Sequence, residues 1–167
     1  EDEETARIGV VAEKNCKEEF EAVMKLRNGK FLGYQSGLIP LFNRKIKTQD
    51  KNVYLVGDAA TQVKASTHGG IAFGMFAAEE LAKAILEKKN YNFLWKKRLG
   101  LDLWLHLKIC ESLRKFSKEE LNELVRLFSQ EKLKKVLGSH VRDFPSKFLM
   151  QLVVKEPRLL KFSTKLF

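Results

Sequence analysis

One segment constrains the fold of this chain more than any other: Asn52-Val53-Tyr54-Leu55-Val56-Gly57-Asp58-Ala59-Ala60, closed by His68-Gly69-Gly70-Ile71. Val53, Leu55 and Val56 make a short apolar run that includes β-preferring residues, the length of one buried strand. Gly57 permits a sharp backbone turn at the strand end, and Asp58 presents a carboxylate there. Gly69 and Gly70 carry no side chain, which leaves the backbone open to a ligand at the start of a helix expected over Ile71–Lys88. Such a helix start offers free N–H groups and a partial positive charge, suited to an electron-rich or anionic group. A strand end, an acid and a bare helix N-terminus converge on one ligand site.

These residues resemble the second flavin-binding motif of the FAD-dependent superfamily that includes aromatic hydroxylases, halogenases and geranylgeranyl reductases. The resemblance is nearest to the geranylgeranyl reductase family, whose pattern is followed almost position by position from Gly57-Asp58-Ala59-Ala60-Thr61-Gln62 through Val63-Lys64-Ala65-Ser66-Thr67 to His68-Gly69-Gly70-Ile71-Ala72-Phe73-Gly74. It implies FAD as cofactor, with the Gly57-Asp58-Ala59 turn at the ribityl and pyrophosphate region and Asp58 hydrogen-bonded to the sugar-alcohol chain. Gly69, Gly70 and Ile71 would sit against the flavin ring. The family also has a Gly-x-x-Pro segment beside the flavin, matched by Gly37-Leu38-Ile39-Pro40, so Pro40 is either a cofactor-side residue or a simple turn proline. One position departs: His68 stands where the family usually has a third glycine.

The chain has 167 residues, enough by length alone for a sizeable core in one or two domains. The resemblance implies a longer protein, because a complete reductase of this type opens on a strand and a Gly-x-Gly-x-x-Gly turn that holds the ADP end of FAD. No Gly-x-Gly-x-x-Gly occurs here, and the chain opens Glu1-Asp2-Glu3-Glu4. The expectation is the C-terminal portion of a two-domain FAD-binding fold, inactive alone, whose first partner is the upstream half of the same protein. Its α/β first part divides into residues 1–42, a piece of the substrate-binding sheet, and 43–90, the end of the FAD-binding domain. An all-α region follows over 91–167.

The local pattern is consistent with that division. Thr5–Ala12 reads as a strand through Ile8, Val10 and Val11, and Lys17–Leu26 as a helix with Phe20, Val23, Met24 and Leu26 on one side. Asn28-Gly29 ends that helix, and Phe31–Ile39 is expected to be extended. After Ile71 the chain reads as helical. Ala77, Ala78, Leu81, Ala82, Ile85 and Leu86 make one stripe, and Trp95, Leu99, Leu103, Leu107 and Cys110 or Leu113 make a second within Tyr91–Lys115. Ser117-Lys118-Glu119-Glu120 is a capping box that starts a helix buried through Leu121, Leu124, Val125 and Phe128. Further helices are expected over Glu131–Gly138, Ser146–Lys155 and Pro157–Leu166. The family resemblance extends to this tail through Tyr91-Asn92-Phe93-Leu94-Trp95 and the segment Phe116–Leu121.

The two cysteines, Cys16 and Cys110, lie far apart with no Cys-x-x-Cys and no His cluster. Neither a metal site nor a disulfide framework is expected, and a reducing cytoplasm fits. No apolar run approaches the ~18 residues that span a bilayer. The formal net charge of +10 is unevenly placed: 11 basic and 10 acidic residues up to Gly70, then 20 against 11. The basic end, with Lys147, Lys155, Arg158, Lys161 and Lys165, is interleaved with Phe148, Leu149, Met150, Leu152, Val153, Leu159, Leu160 and Phe162. It is either a solvated bundle face or a peripheral contact for an anionic membrane. No nucleic-acid motif accompanies the charge, so none is expected as partner.

The function the resemblance implies is reduction of carbon–carbon double bonds in a geranylgeranyl lipid, with FAD as the hydride source. An isolated alkene also needs a proton, and His68 is the candidate donor by side-chain type and position. Phe73 and Phe76 would wall a prenyl tunnel or simply pack the core. The alternatives are another flavoprotein of the superfamily (hydroxylase, halogenase or quinone-linked dehydrogenase) and a non-enzymatic basic helical binding module.

Overall fold

A computed structural model describes residues 5–26, 30 and 32–165, and divides into two units, 1–37 and 38–167. Within the first unit, Cys16–Lys25 forms helix α1, with Glu18 and Glu19 in its first turn and Lys25 in its last, charges that complement the helix dipole. Phe20 meets Tyr34 edge to face at 5.7 Å between ring centroids. The strand expected over Thr5–Ala12 is not formed. A strand needs a neighbour to take its N–H and C=O groups, and none of the described residues pairs with this segment. The 32–39 stretch carries no regular structure, and the helix end expected at Asn28-Gly29 lies outside the described residues.

The second unit opens on a two-strand antiparallel hairpin, β1 (Gln49–Asp50) and β2 (Val53–Tyr54), with Gln49 opposite Tyr54 and Asp50 opposite Val53. The apolar run after Asn52 therefore forms only a short edge ladder among the described residues, and Val53 is 65% exposed. Gly57–Ala60 then winds into a 3₁₀ turn. Helix α2 (Ile71–Leu86) returns antiparallel against α3 (Tyr91–Leu113) through a turn in which Lys88 takes a left-handed φ of 53°.

The core lies between these two helices and the hairpin. Phe73, Ala77 and Ala84 from α2 meet Tyr91, Trp95, Leu99 and Leu103 from α3, with Phe42 against Trp95. Spacings of three and four residues put each set on one helix face. The stripe expected on α2 is displaced: Glu80 is buried, while Ile85 and Leu86 are 56% and 82% exposed. A carboxylate can hold an inner position because Lys83 and Arg98 both reach it, at 2.9 and 2.8 Å. Burial pushes the Glu80 pKa up, and those two hydrogen bonds outweigh it, leaving the carboxyl below its ordinary value.

Asn90 caps α3 by accepting from the Phe93 N–H at 2.9 Å. Helix α4 (Lys118–Phe128) begins at the reciprocal capping box of Ser117 and Glu120. Leu127 is buried and Leu124 and Phe128 are half-buried, while Leu121 and Val125, both expected inside, are 37% and 65% exposed. Helices α5 (Glu131–Ser139) and α6 (Leu149–Lys155) enclose a second, smaller core of Leu133, Val136, Phe148 and Leu152. The single helix expected over Ser146–Lys155 is a 3₁₀ turn, Pro145–Lys147, followed by α6, and Pro157–Lys165 is a 3₁₀ helix. Among the described residues no helix is long and apolar enough to cross a membrane, and no group of His, Cys, Asp and Glu is placed to hold a metal ion.

Candidate functional site

The backbone after β2 takes its shape from two left-handed residues. Gly57, with φ of 71°, turns the chain into the 3₁₀ helix, and a residue without Cβ takes that angle at least cost. Thr61 closes the turn at φ 54°, and its hydroxyl accepts from the Asn43 N–H at 3.0 Å. The Gln62 side chain ties this turn to α3: its carbonyl accepts from the Gly57 N–H at 2.7 Å and its amide donates to the Tyr91 hydroxyl at 3.0 Å. Burial raises the Tyr91 pKa above its ordinary value, against the bond from Gln62, so the phenol stays neutral.

Residues 62–69 form a loop closed on itself by the His68 N–H to the Lys64 carbonyl at 2.8 Å and the Lys64 N–H to the Gly69 carbonyl at 3.2 Å. His68 holds φ of 55°. The resemblance expects a glycine there, and the backbone angle is the physical reason one is favoured. The loop is fastened from below at two points. Lys64 pairs with Asp143, and the Ser66 hydroxyl lies 2.7 Å from His106 Nδ1. His106 Nε2 lies 3.1 Å from the Asp143 carbonyl oxygen. That oxygen only accepts, so Nε2 carries the proton and Nδ1 accepts from Ser66. Burial pushes the His106 pKa below its ordinary value, more than the hydrogen bond to Asp143 restores, and the imidazole is neutral in this arrangement.

The loop delivers Gly69 and Gly70 to the start of α2, which has no side-chain cap. The N–H groups of Ile71, Ala72 and Phe73 thus lie at a helix N-terminus without an intrahelical acceptor, beside an open cleft. The cleft, about 410 Å³, is lined by Ile39, Asp58, Lys64, His68, Gly69, Gly70, Ile71 and Ala72. Ile71 is 84% exposed at its edge. The Asp58 carboxylate lies against Gly70: a Cβ built there would fall 2.4 Å from Asp58 Oδ1. Among the described residues this carboxylate has no hydrogen-bond or ion-pair partner.

Of the residues singled out from sequence, Asp58, His68, Gly69, Gly70 and Ile71 meet in this cleft, while Gly57, Ala59 and Pro40 are outside its lining and Ile39 stands where Pro40 was expected. Phe73 is fully buried in the helix–helix core, and Phe76 packs against it beneath the Arg98 guanidinium at 5.0 Å. Sequence reading does not single out Lys64 or Gln62, one lining the cleft and one holding its turn. The available signal was their place inside the motif, between two glycine segments, beside an acid. The polar groups fit a flavin in their chemistry: uncapped N–H donors for an electron-rich ring edge, and a carboxylate acceptor for hydroxyl groups.

Comparison with known proteins finds relatives over most of the chain. It is 30% identical to the digeranylgeranylglycerophospholipid reductase of Methanocaldococcus jannaschii, over 95% of this chain and 44% of that protein. It is 31% identical to digeranylgeranylglycerophospholipid reductase 2 of Methanopyrus kandleri, over 78% of this chain and 35% of the relative. A third relative, digeranylgeranylglycerophospholipid reductase 2 of Methanothermobacter thermautotrophicus, is 27% identical over 84% of this chain and 42% of its own length. The chain thus spans less than half the length of the curated relatives it matches. No protein-family model matches it, and no solved structure does.

Proposed function

This chain is a relative of the geranylgeranyl reductase family, and from that premise we propose that it forms the C-terminal, flavin-facing portion of an enzyme that saturates carbon–carbon double bonds in the geranylgeranyl chains of a lipid. The observation that carries the reading is the meeting, in one cleft, of an uncapped helix start with a carboxylate that has no partner among the described residues. Together they offer donors to an electron-rich ring edge and an acceptor to hydroxyl groups.

FAD, when bound, would supply a hydride to one carbon of the double bond. The chain's own residues would do the rest. The free N–H groups of Ile71, Ala72 and Phe73, at the positive end of α2, would stabilise negative charge in the cleft. Asp58 would accept hydrogen bonds from the sugar-alcohol hydroxyls. Ile71, with its side chain out at the cleft edge, would exclude water on that side. His68 would donate a proton to the second alkene carbon, which balances the hydride and leaves a saturated bond.

The test is the visible absorption spectrum of this chain expressed together with the upstream half of the protein. Flavin bands that disappear in Asp58→Ala support the cofactor site, and anaerobic reoxidation of the reduced flavin by a geranylgeranyl lipid supports the reaction. A folded, colourless protein overturns both. Reoxidation that requires oxygen and consumes it with substrate would make this a hydroxylase instead.

A further inference from the structure

The charged tail separates, residue by residue, into cations with carboxylate partners and cations without. Arg158 and Lys132 both bind Glu156, at 2.7 and 3.0 Å. Lys161 pairs with Glu123, and Lys165 with Glu120 at 2.7 Å. Arg142, Lys147 and Lys155 are exposed and have no carboxylate partner among the described residues. The one acid between residues 140 and 155, Asp143, is taken by Lys64.

The apolar residues sort in the same way. Phe148, Leu152 and Phe162 are buried, whereas Met150, Val154 and Val141 are 71%, 74% and 66% exposed. Met150 and Val154, four apart on α6, share the helix face opposite the buried Leu152. His140 meets Gln151 at 3.4 Å and its ring lies tilted toward Phe148 at 5.7 Å between centroids, which holds the backbone leading into Val141 near the same helix. Lys155 follows Val154 directly, and Lys147 lies 4.6 Å over the Phe144 ring at the start of α6.

We propose that this face, the aliphatic Val141, Met150 and Val154 flanked by Arg142, Lys147 and Lys155, docks on an anionic lipid bilayer. Uncompensated positive charge around exposed aliphatic side chains complements a surface of negative headgroups over hydrocarbon. A folded protein partner fits less well. A specific protein interface takes roughly 800 Å² per partner and is anchored by aromatic residues or arginine in its centre, and here the centre is three aliphatic side chains with the cations outside. The proposal rests on surface chemistry and not on the alkene-reductase reading, so the two fail independently.

Co-sedimentation of this chain with vesicles tests it, comparing phosphatidylglycerol–phosphatidylcholine mixtures with phosphatidylcholine alone. The chain is expected to sediment with the anionic vesicles. Each lysine at such a surface contributes about fivefold, so Lys147→Ala with Lys155→Ala weakens binding about 25-fold. Met150→Gln with Val154→Gln weakens it about tenfold through lost apolar burial. Lys118→Ala with Lys135→Ala removes the same charge elsewhere and leaves binding unchanged. All six side chains are exposed, so melting temperatures stay at the parent value, and the single substitutions carry the comparison if a pair does not. Equal loss in the Lys118 and Lys135 control, no effect of the Met150 and Val154 pair, equal binding to phosphatidylcholine, no sedimentation, or tighter binding to duplex DNA than to anionic vesicles would each overturn the proposal.

Discussion

Replacing Gly70 with alanine separates the architecture of the cleft from the stability of the fold. Gly70 sits at φ −106° and ψ −24°, angles any residue adopts, so the backbone itself does not resist. The added Cβ meets two neighbours, Asp58 Oδ1 at 2.4 Å and Val63 Cγ2 at 3.3 Å. The first contact is too short by about 1 Å for ordinary van der Waals separation. Asp58 is exposed, so its carboxylate rotates away at a cost of about 1 kcal/mol. Val63 is 1% exposed and yields by tenths of an ångström, for about another 1 kcal/mol. Loss of glycine freedom in the unfolded chain returns roughly 0.4–1 kcal/mol. The net is a loss of about 1 kcal/mol and a fall in Tm of about 2–4 °C. The site suffers more. A displaced Asp58 forfeits a charge-assisted hydrogen bond of roughly 1.5–3 kcal/mol, or about ten- to a hundredfold in FAD affinity. Thermal melts by circular dichroism read the first effect. Titration of FAD into the chain joined to its upstream half, followed by flavin fluorescence, reads the second. Gly138→Ala, within α5 where the new Cβ meets nothing within 4 Å, is the control: it keeps the entropy gain without the clash, so its Tm rises slightly and its FAD affinity stays at the parent value. Parent-like FAD affinity in Gly70→Ala would refute the placement of Asp58 in the cofactor site, and a Tm lowered as far as by a core deletion would refute the claim that Asp58 yields.

His106→Asn should remove a pH dependence as well as a contact. Because burial lowers the His106 pKa in the fold, the unfolded chain takes up its proton first as pH falls. The contribution is intact above the ordinary histidine range near 6.5 and is lost as pH drops through it, until the folded imidazole also protonates. Urea midpoints from about pH 8 to about pH 5 should fall in the parent and stay flatter in the variant; parallel curves would remove His106 as the cause. Thr48→Val orphans the buried Trp95 Nε1–H, which now donates to Thr48 Oγ1 at 2.7 Å. The expected cost is about 2 kcal/mol, a Tm about 4–8 °C lower, and a shift within a degree would show that the indole finds another acceptor. His68→Gly relieves a left-handed φ and should raise Tm by about 2–4 °C while lowering alkene turnover. Unchanged turnover would take His68 out of the proposed mechanism.

The helical part of this chain was legible in the sequence because its signals are local. Ser117 and Glu120 form a reciprocal box three residues apart, and Tyr91 to Leu113 carries Trp95, Leu99 and Leu103 at four-residue steps. What was not legible depends on partners distant in sequence. Arg98 lets α2 bury Glu80 and leave Ile85 and Leu86 in solvent, and no period within α2 records a guanidinium eighteen residues away. The strand expected at 5–12 had the right residues but no ladder among the described ones; alternation states what a strand would bury, not what it pairs with.

The cleft shows the same division. The sequence shows that positions 69 and 70 are bare, and room for a ligand is the reason the motif itself suggests. In the structure the space a Gly70 side chain would fill is taken by this chain's own Asp58, and that at Gly69 lies 3.1 Å from Lys64 Cε. The two glycines therefore serve ligand binding at one remove. They let an acid and a lysine settle against the helix start, with Lys64 drawn down to Asp143 and Asp58 left without a partner among the described residues at the surface of the cleft. A glycine motif of this kind marks where side chains from elsewhere in the same loop come to rest. The chemistry to test next is theirs: a carboxylate held against Gly70 at the start of α2, beside the N–H groups that the helix leaves without intrahelical acceptors.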